Sequence, residues 1–179
     1  MPLLDRSGLK AETFARAENL SDAAGDVIVP WANVQAVLEA GAGNHRLGVD
    51  IPNNISIDEI LPLVDRLDLI SVPFPSFSDG RGFSLAKQLR DRGYRGVLRA
   101  QGKLITDQFA YALACGFDEV EPADEVFARQ PVEQWLAALT RITNVYQRGY
   151  DGAANILDQR RAARAAKAAQ VESKEASHV

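Results

Sequence analysis

Residues 69–74 read Leu-Ile-Ser-Val-Pro-Phe. The run is apolar on both faces, as a central strand of a parallel sheet must be when other layers cover both of its sides. Pro73 has no N–H for a ladder, so it belongs where the pairing stops. Outward from this run, short apolar segments alternate with amphipathic ones at a repeat of roughly 20–27 residues, the rhythm of successive βα units. The spacing predicts further strands over Asp26–Pro30, Arg46–Ile51, Gly96–Gln101 and Phe117–Glu121.

The helices between them carry their own punctuation. One is expected over Asn33–Ala40, stopping near Gly41. Ser56-Ile57-Asp58-Glu59 is a capping box, and Ile57, Ile60, Leu61, Val64 and Leu67 follow at helical spacing. Pro62 predicts a bend in that helix. A helix over Ser84–Arg92 closes at Gly93, and one capped by Thr106 runs to Cys115 and stops at Gly116. Pro131 opens the last, with Val132, Trp135, Leu136, Leu139, Ile142 and Tyr146 as its apolar stripe.

Five βα units fall short of a closed eightfold barrel at its usual length of roughly 250 residues. The expected fold is therefore α/β, a mostly parallel open sheet with flanking helices on both faces; a partial βα barrel is the alternative. The domain spans residues 26–149. Residues 1–25 read as a weakly ordered segment, and residues 150–179 as an Ala/Arg-rich polar helix or tail. The cluster Arg160, Arg161, Arg164 and Lys167 lacks an apolar face beside it, which favours a solvated tail over a partner-binding helix.

Composition narrows the function classes. The chain has 179 residues, is 46% hydrophobic and carries a formal net charge of −4. That balance speaks against nucleic acid or an anionic membrane as partner. No run approaches the roughly 20 apolar residues of a spanning helix, and the N-terminus lacks the apolar core of a secretory signal, so the cytoplasm is expected. Cys115 is the single cysteine and His45 and His178 the only histidines. A disulfide, a CxxC pair, a four-thiolate cluster and a His-rich metal centre are thereby excluded or disfavoured. Cys115, near a helix C-terminus where the dipole disfavours a thiolate, reads as an inert core thiol. No cofactor motif is encoded, and no metal site is expected.

In an open parallel sheet the loops after the strands gather along one edge, where ligands usually bind. The most distinctive such loop, Pro75 to Ser84, places Asp79-Gly80-Arg81-Gly82 before a helix N-terminus, whose free N–H groups favour an anion. If the third and fourth strands are neighbours, Arg81, Arg99 and Lys103 converge on one small pocket. The candidate anion-binding residues are Asp79, Gly80, Arg81, Gly82, Ser84, Arg99, Asp107 and Gln108. The competing reading is structural: Arg81 pairs with Asp79 or Asp107 and fixes a turn. Gly80-Arg81-Gly82 fails as a dinucleotide fingerprint, because Leu85 takes the third small position and no acid ends the next strand. Asp79, Glu121 and Asp124 could in principle hold Mg²⁺, though loop-capping or solvated carboxylates are the more economical reading.

From Phe74 to Glu121 the chain resembles the bacterial domain-of-unknown-function family 934. The residues that carry the likeness are Asp79 to Gly82, Phe83-Ser84, Leu89-Arg90, Gly96 with Leu98 to Ala100 and Gly102, Asp107-Gln108, and Gly116 to Asp118. Where the family often has an acidic residue after the last strand glycine, this chain has Lys103. The resemblance implies a cytosolic protein encoded beside assimilatory sulfite reductase and often labelled an oxidoreductase. The expectation is an accessory protein of sulfite reduction, with sulfite reductase and a small oxyanion as partners. The alternative is an oxidoreductase, or a subunit of one, acting directly on sulfite.

Overall fold

A computed structural model describes residues 1–20, 25–41, 43–141, 157–158 and 160–166. The chain divides into two units, Met1–Arg141 and Ile142–Val179. In the second, the described residues include a helical stretch over 160–166 with an Asp158–Arg161 ion pair one turn apart. The expected apolar positions Ile142 and Tyr146 lie outside the described residues.

Five parallel strands follow the expected order: β4 (Val27–Pro30), β5 (Leu47–Asp50), β6 (Leu69–Phe74), β7 (Val97–Gly102) and β8 (Glu119–Pro122). Within the N-terminal segment expected to be weakly ordered, residues 1–16 add three short strands: β1 (Leu3–Asp5), β2 (Gly8–Lys10) and β3 (Ala15–Arg16). They enlarge the sheet to eight strands in the order β2-β1-β8-β7-β6-β5-β4-β3. β3 joins β4 in parallel, while β1 runs antiparallel to β8 and pairs with β2 as a hairpin.

The helices are α1 (Trp31–Ala40), α2 (Ile57–Ile60), α3 (Arg81–Asp91), α4 (Thr106–Ala114), α5 (Asp124–Phe127) and α6 (Val132–Arg141). The Ser56 capping box is present, and the helix it starts tightens into a 3-10 stretch over Leu61–Arg66, where Pro62 removes a donor. α3 begins at Arg81, three residues earlier than the glycines suggested, and the N-cap position of α4 is Ile105 rather than Thr106, with the Ile105 N–H donating to Gln108 Oε1. No described helix is long and apolar enough to cross a membrane.

Strand order decides which alternative the fold follows. From β4 to β8 each strand pairs with the next in sequence, so every right-handed crossover steps the same way and its helix falls on the same face. Helices on both faces would need the order to reverse. The sheet is accordingly a mostly parallel, open one, curled into a partial barrel with a helix-covered convex face and a concave one. Alternation along the strands confirms the two faces. Val27, Val29, Leu47, Val49, Ile70, Val72, Leu98, Ala100 and Val120 join the main core with the helices. Ile28, Leu69 and Val97 form a separate small cluster with Phe14 on the other side.

Candidate functional site

The same alternation fixes where chemistry-bearing side chains go. Leu98 and Ala100 face the helices, so Arg99 between them must face the concave side. Glu119 and Glu121 flank Val120 and do likewise, and Arg99 is the register partner of Glu119. The chain thus builds a charged cluster on the concave face, above the apolar floor of Phe14, Ile28 and Leu69.

Arg99 is 1% exposed and spends its guanidinium on three carboxylates. Its Nε donates to Glu119 Oε1 at 2.8 Å, and Nη1 to Glu121 Oε2 at 3.2 Å. Its two outer nitrogens donate to Glu12, Nη1 to Oε2 at 2.6 Å and Nη2 to Oε1 at 2.9 Å. Arg16 adds a second fork, donating from Nη1 and Nη2 to Glu121 at 2.9 and 2.7 Å and from Nε to Asp50 at 3.0 Å. Lys10 pairs with Glu119. Among the described residues, Asp50 Oδ1 is a buried acceptor without a hydrogen-bond partner.

The electrostatics follow from these contacts. Burial alone would lower the Arg99 pKa, but the hydrogen bonds and charges of Glu12 and Glu119 outweigh it and raise the pKa above the ordinary arginine value. Burial would raise the Glu12 carboxyl; the Arg99 fork and the N–H groups of Phe14 and Thr13 overcome that and hold it below its ordinary range.

The residues singled out as an anion site separate into two places. Arg81 stands at the first turn of α3, on the convex layer, where Gly82 lies against the Phe74 ring. Arg99 points the other way. The shared pocket of Arg81 and Arg99 is therefore absent, because α3 packs on the face of β6 and β7 that Arg99 does not use. At the loop itself, the Asp79 carboxylate accepts from the Arg81 backbone N–H and from Arg81 Nε and Nη2 at 3.0 and 2.6 Å, and from Asn53 at 2.9 Å. The Arg81 guanidinium holds the Asp79 carboxyl well below the usual carboxylate range. Asp79 thus supplies an internal anion at the helix N-terminus, which is the structural pairing weighed from sequence. Beside it lies a cavity of about 350 Å³ lined in part by Arg81, Ser84, Asn53, Ser56 and Gln88.

The remaining motif residues brace the scaffold. Gln108 Nε2 donates to Phe77 O at 2.7 Å, and Asp107 sits on the first turn of α4. Arg90 ties α3 to the strand entries, donating to the carbonyls of Tyr94, Gly96 and Gly116 and to Asp118. Gly102 has φ +113 and passes so close to Phe74 O that a Cβ would lie 2.7 Å away. Lys103 reaches Glu125, both exposed. The carboxylates of the Mg²⁺ reading are dispersed: Asp79 is held by Arg81, Glu121 by the two arginines, and Asp124 is 76% exposed near the terminal amine. Cys115 is buried, and burial pushes its thiol pKa up.

Sequence reasoning missed Glu12, Arg16, Lys10, Asp50 and Glu119 as parts of one cluster. The available signal was charge at alternate positions of otherwise apolar strands, as in Glu119-Val120-Glu121.

The model of the family described as bacterial protein of unknown function (DUF934) matches residues 48–157. The chain belongs to that family. The match takes in β6 to β8 and the DGRG turn, but it begins after Glu12 and Arg16. No curated protein matches the chain.

Proposed function

We propose that this family member is an accessory protein of assimilatory sulfite reduction that binds and positions rather than transforms. The observation that carries the non-catalytic reading is the concave cluster. On the concave face the charged side chains of Arg16, Arg99 and Lys10 are engaged with Glu12, Asp50, Glu119 and Glu121, so that they serve one another. Arg99, Glu119 and Glu121 are buried within these pairs, and an arginine whose pKa is raised by its carboxylate partners is a poor proton donor. The sulfur-assimilation part rests on the family likeness of the DGRG, LRA, DQ and GFD motifs. A role beside the reductase places the protein in the cytoplasm.

In this reading the DGRG corner takes a small oxyanion in the cavity next to Arg81 and Ser84, with Asn53 and Ser56 as further polar lining. Arginine's fork suits such an anion, at the expense of its bond to Asp79.

The test uses the purified full-length chain and sulfite reductase. We expect co-elution of the two on gel filtration and no sulfite turnover by the chain alone with any nicotinamide, flavin or viologen reductant. Turnover by the chain alone would establish the oxidoreductase alternative. Failure to associate at micromolar concentrations would remove the accessory role.

A further inference from the structure

The segment between β2 and β3, residues 11–14, crosses the concave face from one side of the curled sheet to the other. Phe14 anchors it, 6% exposed and packed on Ile28 and Leu69, with the Arg46 guanidinium 4.7 Å from its ring centroid. Glu12 on this segment is 37% exposed at its side chain, yet its carboxylate turns inward. Four donors meet it there. Oε1 accepts from the backbone N–H groups of Thr13 and Phe14, each at 2.9 Å, and from Arg99 Nη2; Oε2 accepts from Arg99 Nη1.

We propose that these four donors form an anion-binding seat for a small carboxylate or oxyanion, in which Glu12 is an internal stand-in for the ligand. Successive backbone N–H groups beside a bidentate arginine are a recurring way to hold two oxygens of one anion. Arg99 is fixed for the task by Glu119 on its Nε, so its outer fork keeps its aim whichever anion fills the seat. Without Glu12, Arg99 keeps Glu119 and Glu121 as acceptors, but its Nη2 and the Thr13 and Phe14 N–H groups lose the acceptor that Glu12 gives them. The charge count is permissive. The cluster sets the four carboxylates of Glu12, Asp50, Glu119 and Glu121 against the three cations Lys10, Arg16 and Arg99, and one external monoanion in place of the Glu12 carboxylate leaves that balance unchanged. Exchange needs only the Glu12 side chain to rotate into solvent, since Phe14 keeps the segment in place.

This site is independent of the DGRG cavity and of the sulfite reductase partnership, so it stands or falls on its own measurement. Full-length wild type, Glu12→Ala and Glu12→Gln are titrated by calorimetry with sodium sulfite and with sodium acetate, and the amide shifts of Thr13 and Phe14 are followed by NMR. A tethered carboxylate competes at a millimolar or higher effective concentration. Glu12→Ala should therefore bind at least one of the two anions at least tenfold more tightly than wild type, with the Thr13 and Phe14 amides shifting on addition. Glu12→Gln, whose side chain still fills the seat, should gain much less. Preference for sulfite marks an inorganic oxyanion as the ligand class, and preference for acetate a carboxylate. If Glu12→Ala does not fold alone, acetate or sulfite should raise its melting temperature while leaving wild type unchanged. Equal affinity in all three proteins, unmoved Thr13 and Phe14 amides, or no anion-dependent recovery of an unfolded Glu12→Ala overturns the proposal.

Discussion

Arg16 on β3 donates two parallel hydrogen bonds to Glu121 on β8, although four strands separate β3 from β8 in the sheet. A flat sheet with strands about 4.8 Å apart would hold these residues far beyond side-chain reach. The pair is therefore a direct measure of how far the sheet has curled, and it clasps the half-barrel across its open side.

Glu121 is the shared acceptor of Arg16 and Arg99 and is almost fully buried, whereas Arg16 is about one-third exposed at its side chain. Removing one partner of a buried ion pair costs about 3–5 kcal/mol. Glu121→Ala is expected to lose that much in urea unfolding and Arg16→Met distinctly less, because solvent screens the exposed side of its pairs. Equal and small losses for both would mean that the clasp contributes little.

The pH dependence isolates Glu12. Its folded pKa lies below the ordinary value of 4.5. A depressed carboxyl adds stability that is present above the unfolded pKa and disappears as pH falls through the folded one. The stability gap between wild type and Glu12→Gln should therefore be constant from pH 8 to about 5 and shrink below pH 4.5. A gap that stays unchanged down to pH 3 in urea titrations would show that the Glu12 charge is not what holds Arg99.

Gly82 offers a packing test inside the DGRG motif. In a helix interior, Gly→Ala ordinarily adds up to about 1 kcal/mol of stability. Here the new Cβ would sit 2.5 Å from the Phe74 ring, so overpacking of about 1–3 kcal/mol should win. Gly82→Ala is expected to be destabilised in thermal melts, and Phe74→Leu in the same chain should relieve part of the penalty. A more stable Gly82→Ala would mean that the ring moves freely.

The parallel strands were legible because short segments with apolar residues on at least one face recur between turn residues, and the Ser56 capping box announced its helix correctly. The short N-terminal strands were not, since runs of two or three residues such as Ala15-Arg16 carry no period, and pairing with β4 and β8 alone makes them strands. Arg81 read as a loop residue because glycines surround it. Gly82 is nonetheless helical, and its missing side chain serves the Phe74 ring rather than a turn. Arg99 stood out as a charge in an apolar strand, but its acceptor Glu12 lies 87 residues away in sequence. Only the curl and the crossing segment bring the two together, and neither leaves a local pattern.

The most direct test of the functional account is growth of the source bacterium with this gene deleted, on sulfate, sulfite or sulfide as the sole sulfur source. The account predicts poor growth on sulfate and sulfite, normal growth on sulfide, and full rescue by the wild-type gene and by Cys115→Ser, whose buried thiol has no assigned role. Equal growth on all three sources, in a strain without a second member of the family, would contradict it.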